Sequence, residues 1–300
     1  MGMGRDLAKA FPIARQTFAE ADEALDFDLT ELAFRGPEEQ LRLTEFTQPA
    51  IFTASIAAYR VLRERVPPPD YAAGHSLGEY SANHAAGVLR FSDAVRAVRT
   101  RGRLMQQAVA EGHGAMAAIL GMNLPLVLEA CAAAARETGS VVAAANMNAP
   151  EQTAISGAKV AVERAIVLAK ERGAKRAVML QVSAPFHCSL MQPAQDALRA
   201  VLAAIPFEDA AFPIIVNVDA VPLTQAEALR DALVRQVTGA VRWTESVQWL
   251  LAQGVTNFIE VGPGKVLSGL LRQIDRDQKA LHVDDCVLAA RADAASPPSI

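Results

Sequence analysis

Three hundred residues with 51% apolar side chains can bury a large core, which sets aside disorder as the default. A net charge of −4 argues against nucleic acid as the main ligand, and every long apolar run is broken by polar residues before it could span a bilayer. Cys131, Cys188 and Cys286 lack metal-ligand spacing, so the expectation is a reduced, cytoplasmic chain with incidental thiols and no metal site.

Leu7, Phe11, Ala14, Phe18, Ala21 and Leu25 recur at helical spacing, which predicts an opening helix over 6–25 with a kink or break at Pro12. Pro37 to Leu43 reads as a short helical segment. Thr47 is the expected N-cap of a longer helix, with Pro49 in its first turn, running through Ile51 to Val66 until Pro67-Pro68-Pro69 stops it. A strand-like approach over 69–73 then meets Gly74-His75-Ser76-Leu77-Gly78, and a helical pattern follows from Tyr80. Strand, sharp turn bearing a Ser, then helix is the nucleophile-elbow arrangement. Gly74 and Gly78 leave room for the tight backbone path, Ser76 projects at a helix N-terminus, and the Leu77 N–H is the natural first oxyanion donor. Ser92-Asp93-Ala94 is expected to cap the next helix, which carries Arg96, Arg99, Arg101 and Arg103 to about Ala110. Arg96 and Arg99 read as a solvated basic face. The glycine between Arg101 and Arg103 marks close packing or a bend, where a buried Arg101 would grip a carboxylate bidentately.

From Gly112 the pattern changes. Ala115 to Leu120 reads as a strand, Leu124 to Glu137 as a helix, and Val141 to Ala145 and Thr153 to Ser156 as strands around Asn146-Met147-Asn148-Ala149-Pro150. A helix over Val160 to Arg172 and a strand over Arg176 to Val182 complete the order of a ferredoxin-like domain, inserted over 114–183. The remainder, 1–113 and 184–290, is expected to form one discontinuous α/β domain. It continues with a helix over His187 to Ala204, a buried strand over Phe212 to Asn217 and helices over Leu223 to Val237 and Trp243 to Gln253. A strand over Phe258 to Val261 and a helix over Lys265 to Ile274 follow. Residues 291–300 read as a disordered tail.

A serine nucleophile needs a base. Of the five histidines, His75 is too close in sequence to face the Ser76 hydroxyl, His84 reads as structural, and His113 and His282 lie in a Gly-rich junction and near the tail. His187 follows a strand end, where open α/β sheets converge on their ligand crevice, and is the best base. Val261-Gly262-Pro263-Gly264-Lys265 lacks the full phosphate-loop pattern and reads as a tight strand-to-helix turn.

Taken together these stretches resemble the malonyl-CoA:acyl carrier protein transacylase family. The likeness rests on Gly74-His75-Ser76-Leu77-Gly78-Glu79-Tyr80, Arg101-Gly102-Arg103-Leu104-Met105-Gln106, Gly112 to Ile119 and Asn146 to Pro150. It continues with His187-Cys188-Ser189-Leu190-Met191, Val216-Asn217-Val218-Asp219 and Glu260 to Leu267. The resemblance implies an α/β fold, a hydrolase-like core with a parallel sheet plus an inserted ferredoxin-like small domain. It implies that Ser76 is malonylated by malonyl-CoA and passes malonyl to the phosphopantetheine thiol of acyl carrier protein, in fatty acid biosynthesis, by a ping-pong route. His187 would act as base and acid, Arg101 would hold the malonyl carboxylate, and a backbone carbonyl at Gln236 would orient His187. Phe186 would narrow the acyl pocket, and Asn146 is carried over as a substrate-binding residue. Malonyl-CoA is then substrate and no cofactor is implied. The expected partners are malonyl-CoA and acyl carrier protein, with neither nucleic acid nor membrane, for a monomer. In that family a first strand and a Gly-Gln-Gly-Ser-Gln loop, source of a second oxyanion N–H, come before the part that Met1 to Leu7 matches, so the expectation is a reading frame that starts upstream. Two alternatives share the elbow: a thioesterase or esterase, and a carrier-protein-binding scaffold with little turnover.

Overall fold

The computed structural model describes residues 1–182 and 184–283. The opening helical pattern is two helices, α1 (Arg5–Ala10) and α2 (Pro12–Leu25), joined through an extended Phe11. Pro12 therefore breaks the pattern and starts α2, where its missing N–H costs nothing. α3 (Leu29–Arg35), which periodicity did not reveal, is capped by Asp28, whose side chain accepts from the Glu31 N–H at 2.6 Å. α4 (Glu38–Leu41) is one short turn.

α5 (Thr44–Arg63) begins earlier than the expected cap at Thr47. Phe46 and Thr47 already donate their N–H groups to Leu43 O, at 2.8 and 2.9 Å, and the Thr47 hydroxyl turns back to that carbonyl instead of capping. Pro49 thus lies inside the helix. The strand before the elbow is only β1 (Ala72–Ala73), followed by α6 (Gly78–Ala85) and α7 (Phe91–Gln107). α7 starts before Ser92, with Arg90 at its N-cap position and no side-chain cap.

β2 (Gly114–Leu120), α8 (Leu124–Thr138), β3 (Val142–Ala149), β4 (Gln152–Ala158), α9 (Lys159–Glu171) and β5 (Arg176–Met179) follow. They form an antiparallel sheet in the order β3-β4-β2-β5, with α8 and α9 packed on it, which is the ferredoxin-like arrangement. β3 runs through Asn146 to Ala149, where the sequence suggested a connecting loop, by shifting register twice against β4.

The chain returns through a 3₁₀ turn (Ser189–Met191) into α10 (Gln192–Ala203), so His187 precedes the helix it was expected to open. β6 (Ile214–Ile215), β7 (Pro222–Leu223), α11 (Ala226–Arg235), α12 (Trp243–Ala252), β8 (Ile259–Glu260), α13 (Val266–Ile274) and β9 (Leu281–His282) complete the described residues. β1 pairs parallel with β6, β7 closes antiparallel on β6, and β8 pairs parallel with β9. The tail expected over 291–300 lies outside the described residues.

Separate apolar cores hold these parts. Phe18, Phe52, Ile56, Val98, Leu198, Ile214 and Leu233 belong to the largest. Ala117, Ile119, Val127, Ile155, Val162 and Leu168 fill the space between the four-stranded sheet and its two helices. The site lies where the two parts meet, over the C-terminal ends of β1 and β6.

Candidate active site

Gly74 follows β1 and turns the chain sharply. A Cβ on Gly74 would overlap the Gly78 carbonyl, so this position admits glycine alone. Gly78 differs from the reading that gave both glycines the same task, because a Cβ there meets nothing within 4 Å. Ser76 sits between them at φ 52°, in the left-handed region that costs a residue with a side chain roughly 1–2 kcal/mol. Partners on both faces hold it there. Its N–H donates to Asn217 Oδ1 at 2.7 Å, and its carbonyl accepts from Gln236 Nε2 at 3.0 Å. The turn engages the N–H groups of Gly78, Glu79 and Tyr80 with the carbonyls of His75, Ser76 and Leu77, and leaves the Leu77 N–H beside Ser76 as the donor it does not use.

His187 reaches Ser76 from far along the chain: its Nε2 stands 2.8 Å from Ser76 Oγ. It too has left-handed backbone, φ 59°. The ring's other nitrogen faces two carbonyls, Gln236 O at 2.9 Å and Gly239 O at 3.2 Å. Carbonyls only accept, so Nδ1 carries the proton and Nε2 presents its lone pair to the serine O–H. Burial pushes the His187 pKa down to about 3, helped by the nearby Arg101 charge and opposed by the two backbone carbonyls. The imidazole is therefore neutral at pH 7, the state a general base needs.

Arg101 occupies α7 with 2% of its surface exposed. Its Nη2 donates to Ser76 Oγ at 3.0 Å and to Gln236 Oε1 at 2.9 Å, and its Nη1 donates to Gln48 Oε1 at 2.6 Å. All three acceptors are uncharged. Among the described residues no carboxylate lies within ion-pair distance of this guanidinium, and its Nε has no hydrogen-bond partner. A buried cation held only by neutral acceptors is poised for an anion. Gly102, next to it, lets α7 approach α5: a Cβ there would lie 2.5 Å from Thr44 O.

A cleft of about 300 Å³ opens onto this point, with Gln48, Ser76, Leu77, Arg101, Phe186 and His187 in its wall. Phe186 lines this cleft next to His187. Asn146 does not line the cleft; it pairs with Ala154 and bridges to Val241 within the bulged part of β3. Asn148 is the asparagine that reaches the elbow, its Oδ1 lying 2.8 Å from His75 Nε2.

Sequence reasoning missed Gln48, Glu79, Asn217 and the Gly239 carbonyl. Gln48 lay in a stretch read only as a helix start, and Asn217 was read only as a strand end and as part of the family likeness. Asn217 clamps the elbow, donating through Nδ2 to Gly74 O at 2.7 Å while accepting from Ser76. A backbone acceptor such as Gly239 leaves no mark on side-chain chemistry.

The acyl transferase domain family matches residues 1–293. The malonyl CoA-acyl carrier protein transacylase of Haemophilus influenzae is 50% identical over 287 residues, covering 95% of this chain and 91% of that protein. The solved malonyl CoA-acyl carrier protein transacylase of Coxiella burnetii superposes with a TM-score of 0.94 at 43% identity, over 97% of this chain and 92% of that one. A malonyl-transacylase solved in complex with its type II polyketide acyl-carrier protein gives a TM-score of 0.94 at 47% identity, over 98% and 95% of the two chains.

Proposed function

Because the chain belongs to the acyl transferase domain family, we propose that Ser76, His187 and Arg101 are the machinery with which it transfers malonyl from CoA to acyl carrier protein. The observation that carries this reading is one oxygen with two partners. Ser76 Oγ lies 2.8 Å from a neutral imidazole nitrogen and 3.0 Å from a buried guanidinium.

The malonyl carboxylate takes up Arg101, which brings the thioester carbonyl to Ser76. His187 Nε2 removes the serine proton as Oγ attacks that carbon. The tetrahedral oxyanion is met by the Leu77 N–H at the start of α6. On collapse the C–S bond breaks and His187 returns the proton to the CoA thiolate. The phosphopantetheine thiol of acyl carrier protein then attacks the Ser76 ester, giving its proton to His187, which passes it back to Ser76 Oγ. Gln236 O and Gly239 O hold the ring for both halves. An uncharged acyl group leaves Arg101 buried without an anion, so the site favours a diacid's half-ester. All of these residues come from one copy, in keeping with a monomer.

A thioesterase on the same elbow is the weaker reading. Two carbonyls, not an acid, orient His187, and a carboxylate-gripping Arg101 serves no purpose for plain esters. The residues between 114 and 183 we assign to an inserted domain with its own core, and 1–113 with 184–290 to the catalytic domain. The cytoplasm fits Cys131 and Cys188, both buried as free thiols. The test is mass spectrometry after mixing with malonyl-CoA, then with acyl carrier protein. Malonyl on Ser76, its transfer outpacing hydrolysis, and its loss in Ser76→Ala are expected; hydrolysis as fast with or without carrier protein returns the thioesterase.

A further inference from the structure

Three residues after Ser76, Glu79 carries a carboxylate with no exposed surface and no cation within ion-pair distance among the described residues. A buried, unpaired carboxyl is costly, and an apolar side chain of that size would fill the space more cheaply. Its Oε2 accepts from the Asn217 N–H at 2.9 Å and from Gln236 Nε2 at 2.8 Å, while its Oε1 has no partner.

The consequence lies in the amide it faces. A carboxylate facing an amide across that distance takes the NH₂ and refuses the carbonyl. Gln236 therefore turns its nitrogen to Glu79 and Ser76 O, and its Oε1 to Arg101 Nη2. With the amide reversed, two acceptors would face each other on one side and an NH₂ would face a guanidinium on the other. The same residue's backbone carbonyl receives the His187 Nδ1 proton. Asn217, held by its N–H to the same Oε2, clamps Gly74 O and Ser76 N–H with its side chain.

We propose that Glu79 is a positioning residue for this reaction, fixing through Gln236 and Asn217 the aim of Arg101 and the shape of the elbow while leaving the Arg101 charge free for the malonyl carboxylate. This rests on the transacylase reading above. One amide between cation and anion is the working distance: a direct ion pair would satisfy Arg101 and remove its need for substrate. Burial raises the Glu79 carboxyl to about 7 against the bonds from Asn217 and Gln236 and the charge of Arg101 on α7, with Asp219 after β6 pushing the same way as burial. Protonation at the unpartnered Oε1 leaves Oε2 an acceptor, so the role needs the acceptor and not the charge.

Glu79→Met keeps the volume and removes the acceptor; Glu79→Gln keeps the acceptor without the charge. With folding checked by circular dichroism, Glu79→Met is expected to lower kcat/KM for malonyl-CoA by about ten- to a hundredfold and to narrow the preference over acetyl-CoA. Glu79→Gln is expected to restore both. A folded Glu79→Met with unchanged selectivity, or one slowed equally on both substrates, overturns the proposal by leaving Glu79 a structural role only. If Glu79→Met does not fold, Glu79→Gln decides, since lost selectivity in it also overturns the proposal. Malonylation of Ser76 in the unaltered chain is measured alongside: its absence refutes the transacylase reading, whereas its presence with unaltered Glu79 variants refutes only this inference.

Discussion

Two groups converge on Ser76 Oγ, the His187 imidazole and the Arg101 guanidinium, and the roles proposed for them can be separated by substitution. The role proposed for Arg101 depends on the substrate's charge. Arg101→Ala is expected to cost malonyl-CoA about 1.5–3 kcal/mol of transition-state binding, the usual worth of a charge-assisted hydrogen bond, while acetyl-CoA turnover changes far less. Steady-state kcat/KM for both substrates checks this, and equal losses would remove Arg101 from the carboxylate. His187 makes a prediction in pH. Its pKa falls from an ordinary 6.5 to about 3 in the folded chain. Below 6.5 the unfolded chain binds a proton that the folded chain refuses, so stability present above 6.5 is lost as pH falls toward 3. His187→Gln lacks this group, and its melting temperature is expected to decline less between pH 6.5 and 4 than the parent's. His75 and His84, also lowered by burial, remain in both chains and cancel, so parallel curves would contradict the burial argument.

The elements that place these residues were legible where periodicity ran long. α7, α8, α9 and α12 lie within a few residues of their expected limits, because an apolar stripe over three or more turns leaves little choice. Two-residue strands such as β7 and β9 carry no pattern to read, and Asn146 to Ala149 show why turn-forming residues mislead: pairing with β4 and Val241 overrides their preference. The reading of Gly102 as a mark of close packing agrees with the crossing of α5 and α7. Gly102→Ala must push apart Thr44 and α7, and with them Gln48, one turn along α5, from Arg101. Overpacking of this kind costs about 1–3 kcal/mol. The expected result is a lowered melting temperature together with a raised KM for malonyl-CoA. A stability loss without any KM change would mean that the helix crossing does not set the Gln48–Arg101 contact.

Across the whole molecule the site depends on how the four-stranded sheet meets the larger core. Val241 donates its N–H to Ala145 O at 2.8 Å and accepts from the Met147 N–H at 2.9 Å, so β3 is stitched by backbone bonds to the segment just before α12. The Thr244 hydroxyl adds a bond to Met147 O at 2.9 Å, and His75, beside the nucleophile, lies 2.8 Å from Asn148 Oδ1 and packs near Trp243. Units joined only by side chains at a wet boundary move independently as a rule. Here the junction contains ladder-type bonds at Val241, two residues from the Gly239 carbonyl that faces His187, while Asn148, next to Met147, reaches His75 with its side chain. The proposed catalytic geometry is therefore expected to need both parts docked, with local opening at this seam as rare as opening of the cores themselves. Hydrogen exchange gives the test: the amides of Met147 and Val241 are expected to exchange together, at the slow rate of Ile119 and Ile155 in the smaller core. Fast exchange at the seam with both cores still protected would show that the parts come apart while folded, and the cleft would then have to be assembled by substrate.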